Sequence, residues 1–271
     1  MIPENTHAKA LRAKLKSGAI TCGGFLQINS SIAAEIMGLA GFDWLIVDLE
    51  HAPIDFSSLV QQFQAIECGR SSVPFVRAPS SDMTTIKRIL DTGARGILVP
   101  SVNSKIEAQA VVDACLYPPE GQRGAAKSPR AALYGSAGAD YFDNANQSLV
   151  IMVSVETREA LNNLDDILAI PRIDGIFIGP MDLAVSMGFL RNSREVAAAI
   201  EIIEAKVLAS DKFLGTIATD WPRAQQLYER GYQWLILMQD GLSLSAQAHN
   251  TVRLFREKTA QLSPTFYAAD K

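Results

Sequence analysis

The stretch WLIVDLEHAPIDFSSLVQQFQAI, residues 44–66, contains the pattern that decides the fold. Its first part, 44–49, is a short apolar run and predicts a buried β-strand. Its last part, 56–66, has apolar residues at helical spacing and predicts an α-helix. A more polar stretch that contains Pro53 separates the two, as is typical of a loop between a strand and a helix. We therefore interpret residues 44–66 as one strand–helix unit.

The same unit recurs on both sides of this stretch. Strands are predicted over 20–27, 44–49, 73–77, 96–100, 149–155, 175–179, 213–218 and 234–238, and helices over 31–39, 56–66, 83–91, 105–115, 158–168, 196–209, 222–230 and 243–262. Eight such units in 271 residues predict an α/β fold, a single-domain (β/α)8 TIM barrel. A doubly wound sheet is disfavoured because it usually has fewer units and often carries a dinucleotide fingerprint.

The domain prediction is one barrel domain over residues 1–271, with an N-terminal helix or extension at 1–17. Residues 117–147 are rich in Pro, Gly, Ala and polar residues, and are too many for an ordinary connection between elements. We expect this long loop before the fifth strand to cover a rim of the barrel or a neighbouring subunit.

The composition excludes several classes of protein. With 48% hydrophobic residues and a net charge of −4 spread along the chain, disorder and nucleic-acid binding are both disfavoured. No stretch approaches the roughly 18 apolar residues of a membrane span, and the start of the chain lacks the apolar core of a signal peptide, so a cytoplasmic location is expected. Cys22, Cys68 and Cys115 form no Cys-x-x-Cys pair and are expected to be reduced and mostly buried.

Polar residues cluster where the predicted strands end. In a TIM barrel the carboxyl ends of the strands meet at one mouth, where the active site lies. The strand ends carry DLEH at 48–51, Arg77, SVE at 154–156 and GPMD at 179–182. We therefore expect a site in which Glu156, Asp182, His51 and Arg77 converge.

Glu156 and Asp182 follow successive strands, which places two carboxylates near each other on the rim. Two such groups favour a hard divalent cation, held by the carboxylates and water with positions left for substrate oxygens. The alternative is that each acid only complements the dipole of the helix that it begins.

His51 is the candidate general base of the site. Asp48 stands three residues earlier, and a carboxylate–imidazole pair would set the tautomer of the ring and raise its basicity. The alternative is an exposed or capping loop histidine.

Arg77 ends a buried strand, where an unpaired guanidinium would be costly, so it should have an anionic partner. A substrate carboxylate or oxyanion is one candidate, and a structural salt bridge is the other.

The sequence lacks the residues that several other kinds of catalysis require. Lys87, Lys127 and Lys212 do not lie at strand ends, so a Schiff-base mechanism has no candidate. The sequence also lacks a dinucleotide fingerprint, a Walker-type lysine loop and a Gly-x-Ser-x-Gly elbow.

Seven short motifs spread over most of the chain carry a family resemblance. They are AGFDW at 40–44, DLEHAP at 48–53, ILDTGA at 89–94, YPPEGQRG at 117–124, VE at 155–156, NLD at 163–165 and DGIFIGPMDL at 174–183. The chain resembles the HpcH/HpaI aldolases, which are metal-dependent (class II) pyruvate aldolases that act on 4-hydroxy-2-oxo acids. The motifs at 117–124 and 174–183 are the most specific.

The resemblance implies roles for the mouth residues. Glu156 and Asp182 would be the ligands of a divalent metal, Mg²⁺, Mn²⁺ or Co²⁺, to which the oxo acid binds. Arg77 would stabilise the enolate oxygen, and His51, oriented by Asp48, would handle the proton of the 4-hydroxyl.

The substrate-binding turn is implied to be the segment Gly179, Pro180, Met181 and Asp182. Main-chain N–H groups of Met181 and Asp182 would bind the substrate carboxylate, which is also what a helix N-terminus does physically. Ser154 would contact the substrate from the fifth strand.

The resemblance also implies an assembly. Asp91 matches a family position that reaches the site of an adjacent subunit. A hexamer, formed as a trimer of dimers with the C-terminal helix swapped between subunits, is therefore expected.

The chain departs from the family pattern near the substrate. Ser154 stands where members usually carry Gln, a side chain expected to hydrogen-bond the substrate, and Met181 stands for a usual Ala. Ala184 replaces a usual Ser, and Met238-Gln239 replaces Gly-Val at the end of the last strand. We expect these changes to favour a different oxo acid or to weaken the selectivity for pyruvate.

The predicted function is a carbon–carbon lyase of the class II aldolase type. It would cleave a 4-hydroxy-2-oxo acid, such as a 2-keto-3-deoxy sugar acid or a hydroxylated oxo-dicarboxylate, into pyruvate and an aldehyde. One alternative is an acyl-CoA lyase of the citryl- or malyl-CoA kind, which would need a basic surface for the adenine nucleotide. The other is a non-catalytic barrel that binds an oxo acid.

Overall fold

Eight parallel strands close into a barrel in the computed structural model, which describes residues 6–138, 140–190 and 193–260. The strands are β1 (Thr21–Leu26), β2 (Trp44–Asp48), β3 (Val73–Arg77), β4 (Gly96–Val99), β5 (Val150–Val155), β6 (Gly175–Ile178), β7 (Phe213–Ile217) and β8 (Trp234–Gln239). Neighbours in chain order pair in parallel, and β1 pairs with β8 to close the sheet. The predicted fold class, a TIM barrel, is confirmed.

Helices surround the barrel between the strands. They are α1 (Thr6–Lys16), α2 (Ser31–Leu39), α3 (Phe56–Cys68), α4 (Met83–Asp91), α5 (Lys105–Cys115), α6 (Tyr141–Ser148), α7 (Arg158–Asn162), α8 (Leu164–Leu168), α9 (Pro180–Met187), α10 (Arg194–Leu208), α11 (Trp221–Glu229), α12 (Asp240–Thr259) and a short 3-10 helix (Arg130–Gly135). Within the described ranges, none of these helices is long and apolar enough to cross a membrane.

The helices differ from the sequence prediction at three places. The predicted helix 158–168 is divided at Asn163 into α7 and α8. Two helices, α9 and α10, stand between β6 and β7, where the pattern predicted one. The segment 117–147, predicted as a loop, contains the 3-10 helix and most of α6. The 3-10 helix packs against α4, and α6 packs against α1. The end of the predicted last helix, 261–262, lies outside the described residues.

Alternating side chains of the strands form two separate apolar layers. The outward residues, such as Leu45 and Val47 of β2, pack with Phe63 of α3 beneath the helices. The inward residues fill the barrel, where the rings of Trp44 and Trp234 stack with centroids 3.5 Å apart. A polar residue at an inward position near a carboxyl end therefore faces the mouth.

Helix α1 closes the opposite end of the barrel. Leu11 and Leu15 belong to the same apolar cluster as the inward strand residues. Arg12 forms an ion pair with Asp174, which directly precedes β6, at a distance of 2.7 Å. Because α1 covers the amino ends of the strands, the predicted site lies at the other end.

The three cysteines differ in exposure. Cys115 is buried and Cys22 is half-buried, but Cys68 at the end of α3 is exposed, so the expected burial is wrong for Cys68. Burial raises the pKa of the Cys115 thiol to about 12, and this thiol therefore stays protonated at neutral pH.

Candidate active site

Side chains alternate between the two faces of each strand, and this alternation places the predicted site residues at the mouth. Ile46 and Phe75 fill the barrel interior. Asp48 and Arg77 follow them by two residues, and side chains two residues apart on a strand share a face. Glu156 directly follows β5 and is almost fully buried at the same end of the barrel. The strand ends thus bring these three charged side chains together.

Asp48 and Arg77 form a bidentate ion pair between β2 and β3. Arg77 Nε and Nη2 lie 2.8 Å and 2.6 Å from Asp48 Oδ1 and Oδ2. Gln27 Nε2 donates a further hydrogen bond to Oδ2 at 2.9 Å. Burial opposes the ionisation of Asp48, but Arg77 and Gln27 outweigh it, so the pKa of the Asp48 carboxyl is below its ordinary value. Asp48 is therefore a buried carboxylate.

The ring of His51 is not paired with Asp48, which corrects the predicted carboxylate–imidazole pair. Asp48 Oδ1 accepts the main-chain N–H groups of Glu50 and His51, at 3.1 Å and 3.3 Å, and both Asp48 oxygens accept from Arg77. The His51 side chain is 57% exposed, and its Nε2 lies 3.6 Å from Glu50 Oε2. His51 thus stands at the rim of the mouth with Glu50 as its acidic neighbour.

Arg77 has the anionic partners that its burial requires. Besides Asp48, its Nη1 lies 3.1 Å from Glu50 Oε2, and its guanidinium lies over the ring of Phe25, 4.7 Å from the centroid. The structural salt bridge considered from the sequence is therefore present. If Arg77 also contacts a substrate anion, the contact would be made by the same fixed guanidinium.

Glu156 is held from the loop after β4. The main-chain N–H and the hydroxyl of Ser101 both donate to Glu156 Oε1, at 2.7 Å and 3.1 Å. Burial raises the pKa of the Glu156 carboxyl, the two Ser101 donors lower it in part, and the charges of Glu50 and Asp182 raise it further. The site therefore gathers negative charge that favours a proton or a cation.

Gly179 shows how closely the predicted metal ligands approach one another. A Cβ atom at this residue would lie 2.6 Å from Glu156 Oε2 and 3.6 Å from Asp182 Oδ2. Two carboxylate oxygens thus surround one small space, and oxygen donors of this kind suit a hard divalent cation. No cluster of three His, Cys, Asp or Glu suited to a metal occurs in the described part of the chain.

The turn into α9 lies beside this space. Gly179 directly precedes the helix, Pro180 is its first residue, and Asp182 lies in its first turn. The first N–H groups of a helix have no partner within the helix, so those of Met181 and Asp182 can bind an anion. The Met181 side chain is exposed at this turn.

Sequence reasoning missed two residues of the mouth. Glu50 was part of a strand-end run, but the structure places it against Arg77 and His51. Burial raises the pKa of Glu50 and Arg77 opposes this effect. Ser101 lies two residues after β4 and carries no charge, so its residue type gives no signal of a site.

The remaining two predicted residues, Ser154 and Asp91, differ in their position relative to the mouth. Ser154 is buried within β5, paired with Phe177 of β6 and two residues before Glu156. Asp91 is the last residue of α4, which runs from the mouth toward the other end of the barrel, and it forms an ion pair with Arg123 at 2.8 Å. The structure therefore does not bring Asp91 to the mouth of its own barrel.

Comparisons with known proteins agree with this architecture. Residues 22–246 match the family model HpcH/HpaI aldolase/citrate lyase. The chain is 37% identical to the 5-keto-4-deoxy-D-glucarate aldolase of Escherichia coli O6:H1 over 257 residues, which cover 94% of this chain and 95% of that protein.

Two crystal structures are similar along nearly the whole chain. An HpcH/HpaI aldolase/citrate lyase family protein from Burkholderia cenocepacia J2315 has a TM-score of 0.87 and 32% identity, covering 92% of this chain and 99% of that chain. The HpcH/HpaI aldolase from Desulfitobacterium hafniense DCB-2 has a TM-score of 0.85 and 26% identity, covering 94% and 98%. The predicted enzyme class, a carbon–carbon lyase of the aldolase type, is confirmed. This chain belongs to the HpcH/HpaI aldolase/citrate lyase family, as its motifs predict.

Proposed function

We propose that this protein is a 2-keto-3-deoxy sugar acid aldolase that cleaves an acid such as 5-keto-4-deoxy-D-glucarate. The C3–C4 bond breaks, counted from the carboxyl beside the oxo group, and its electron pair leaves with C3 as the enolate of pyruvate. The 4-hydroxyl loses its proton and becomes the aldehyde carbonyl, and C3 gains a proton to complete pyruvate. The relative that acts on this acid matches 94% of the chain, and the charged groups at the mouth suit this chemistry.

The Glu156–Asp182 pair would hold the divalent cation of the proposed reaction. The observation that carries this assignment is the convergence of Glu156 Oε2 and Asp182 Oδ2 on the space above Gly179. Mg²⁺, Mn²⁺ and Co²⁺ all accept carboxylate oxygens. When bound, the cation supplies Lewis-acid stabilisation of the charge that develops as the bond breaks.

Arg77 and the start of α9 would bind the oxo-acid end of the substrate. The guanidinium is fixed by Asp48 and Glu50, so it needs little reorganisation when negative charge develops on the oxo oxygen. The N–H groups of Met181 and Asp182 would hold the carboxylate at the positive end of the helix.

His51 would take the proton of the 4-hydroxyl. Its exposed ring stands at the rim, where the aldehyde half of the substrate must lie if the oxo-acid end is bound deeper. Glu50 is the acidic neighbour that would stabilise the protonated imidazole after this transfer. We therefore assign Asp48 to the positioning of Arg77, and Glu50 to the support of His51.

The alternative functions are not favoured. The curated relative that matches nearly the whole chain is an aldolase, which disfavours an acyl-CoA lyase. A non-catalytic binder would have no need for a histidine beside Glu50 and a fixed arginine at the same mouth. The substrate is therefore proposed to be a free oxo acid, handled in the cytoplasm as the sequence predicts.

The proposed assembly is a homohexamer with α12 exchanged between subunits. Helix α12 is exposed along most of its length and carries exposed apolar side chains, among them Leu244, Val252 and Phe255. Ile32 and Ile36 of α2 form a second exposed apolar strip. Contact between copies would bury both, and it would also allow Asp91 to reach the mouth of a neighbour.

The test is pyruvate release from a panel of 4-hydroxy-2-oxo acids that includes 5-keto-4-deoxy-D-glucarate. Release is expected with Mg²⁺ or Mn²⁺, and it should be lost with EDTA and in Glu156→Ala. Release that is indifferent to EDTA and to Glu156→Ala would contradict the assignment of the carboxylate pair. No release from any member would overturn the proposed function.

A further inference from the structure

Ser101 is placed to orient one of the two proposed metal ligands. It follows β4 at the mouth, and both of its hydrogen-bond donors, the main-chain N–H and the hydroxyl, bond to Glu156 Oε1. They therefore occupy one oxygen of the carboxylate. The other oxygen, Oε2, is the atom that shares the space above Gly179 with Asp182.

The backbone of Ser101 adopts a conformation that few residues other than glycine accept. Its φ is +53°, in the left-handed region, and such positions are held only when the surrounding structure enforces them. The side-chain amide of Asn103 donates to the Ser101 carbonyl at 2.8 Å. This contact closes a tight turn that aims both Ser101 donors at Glu156.

The same asparagine ties the turn to the segment that follows Glu156. Thr157 Oγ1 donates to Asn103 Oδ1, and Asn163 Nδ2 donates to the Asn103 carbonyl at 2.8 Å. The Ser101 turn is thus bonded to Thr157, which directly follows Glu156, and to Asn163, which directly follows α7. These bonds restrain the two Ser101 donors relative to the Glu156 carboxylate.

We propose that Ser101 is a positioning residue that presents Glu156 Oε2 to the cation, and this inference rests on the proposed metal-dependent function. A glutamate side chain loses rotamer freedom when it is fixed, at a cost that would otherwise reduce cation affinity. The Ser101 turn fixes Glu156 before a cation arrives. The carboxylate then binds in one orientation, with Oε2 directed to the same space as Asp182.

The experiment measures Mn²⁺ affinity of the full-length protein by the electron paramagnetic resonance signal of free Mn²⁺, without substrate. Ser101→Gly removes the hydroxyl and keeps a residue that tolerates the positive φ. Loss of one hydrogen bond to a charged group should raise the Mn²⁺ dissociation constant roughly tenfold. Asn103→Ala, which releases the turn, should act in the same direction.

Controls separate positioning from a general effect on folding. Arg70 also has a positive φ, +61°, but it lies at the other end of the barrel after α3, so Arg70→Gly should leave Mn²⁺ affinity unchanged. Thermal unfolding of Ser101→Gly should remain within about 3 °C of the wild type. If Ser101→Gly does not fold, Ser101→Ala provides the same comparison.

Two results would overturn the inference, and they can be told apart. In the first, Ser101→Gly and Asn103→Ala fold and bind Mn²⁺ as tightly as the wild type, while Glu156→Ala binds it more weakly. This result would contradict the positioning role of Ser101 but support the metal site. Equal Mn²⁺ binding by the wild type and Glu156→Ala would remove the metal site itself, and the role of Ser101 with it.

Discussion

Arg77 and Asp48 are paired twice, through the register of β2 with β3 and through two side-chain hydrogen bonds of 2.8 Å and 2.6 Å. Asp48 is fully buried and Gln27 binds its second oxygen as well. These contacts therefore hold the Arg77 guanidinium in one orientation. Its remaining Nη1 extends toward Glu50, at 3.1 Å, on the side of the mouth.

The first prediction concerns the stability that this ion pair provides. Asp48→Asn should lower the free energy of unfolding at pH 7 by about 3 kcal/mol, because it removes one partner of a buried ion pair. The folded-state pKa of Asp48 lies below its ordinary 3.8. The stabilisation is therefore fully present above pH 3.8 and is lost as the pH falls through the folded-state pKa.

Urea unfolding between pH 7 and pH 3 checks this prediction. The difference between wild type and Asp48→Asn should shrink below about pH 4. Asp55→Asn is the matched control, because Asp55 caps α3 at the surface and asparagine caps equally well, so a change under about 0.5 kcal/mol is expected. A difference for Asp48→Asn that stays constant over the whole range would contradict the linkage.

The second prediction concerns the shape of the Arg77 side chain. Lysine keeps the charge but cannot bind both Asp48 oxygens and reach Glu50, so Arg77→Lys should reduce kcat/KM for pyruvate release about 100-fold. Arg88→Lys is the control, since Arg88 lies over Phe56 on the outer helices and should change kcat/KM less than twofold. A value for Arg77→Lys within threefold of the wild type would show that charge alone suffices.

The barrel could be predicted because its signal is local and repeated. Most strands are largely apolar and buried on both faces, and each predicted strand end lies within one residue of the observed one. The periodicity gave no separate range for α9, because its eight residues, Pro180–Met187, are too few to display a clear helical period. The division at Asn163 likewise leaves two helices of only five residues each.

The partners of the mouth residues were harder to predict than their location. Asp48 and His51 are three residues apart, but Asp48 belongs to the inward row of β2 while His51 lies in the following loop. Side-chain direction therefore pairs Asp48 with Arg77, which is distant in sequence. The Ser101 contact depends on a positive φ, and no residue type in the Pro100-Ser101 stretch signals that conformation.

The third prediction tests the proposed contact between copies through α12. Phe255→Asp places a charge on the exposed apolar side of this helix and should lower the mass measured by light scattering after size exclusion. Leu190→Asp is the control, because Leu190 is equally apolar and more exposed but lies after α9. An unchanged mass for Phe255→Asp, or a monomeric wild type, would contradict the exchanged helix.

The fourth prediction concerns the space above Gly179. Gly179→Ala places a Cβ atom 2.6 Å from Glu156 Oε2 and 3.0 Å from Glu156 Cβ, so the carboxylate must shift. We expect Mn²⁺ affinity to fall at least tenfold and the unfolding free energy to fall by roughly 1–3 kcal/mol. Both are measurable by Mn²⁺ titration and urea unfolding.

Gly241→Ala is the matched control for Gly179→Ala. Its new Cβ would meet only Ile28 Cγ1, at an ordinary 3.9 Å, although Gly241 also follows a strand at this end of the barrel. Mn²⁺ affinity should be unchanged. Unaltered affinity in Gly179→Ala itself would mean that the cation binds elsewhere.

The last prediction addresses Ser154, which stands where the family usually has Gln. It is buried in β5 two residues before Glu156, so a longer amide there would extend toward the oxo-acid end of the site. In the aldol-forming direction, Ser154→Gln should raise the ratio of kcat/KM for pyruvate to kcat/KM for 2-oxobutanoate about tenfold, since one methylene in a pocket is worth roughly that factor. Ser154→Ala removes the hydroxyl without adding length and should leave the ratio near the wild-type value. Equal ratios in wild type and Ser154→Gln would show that this position does not select the oxo acid.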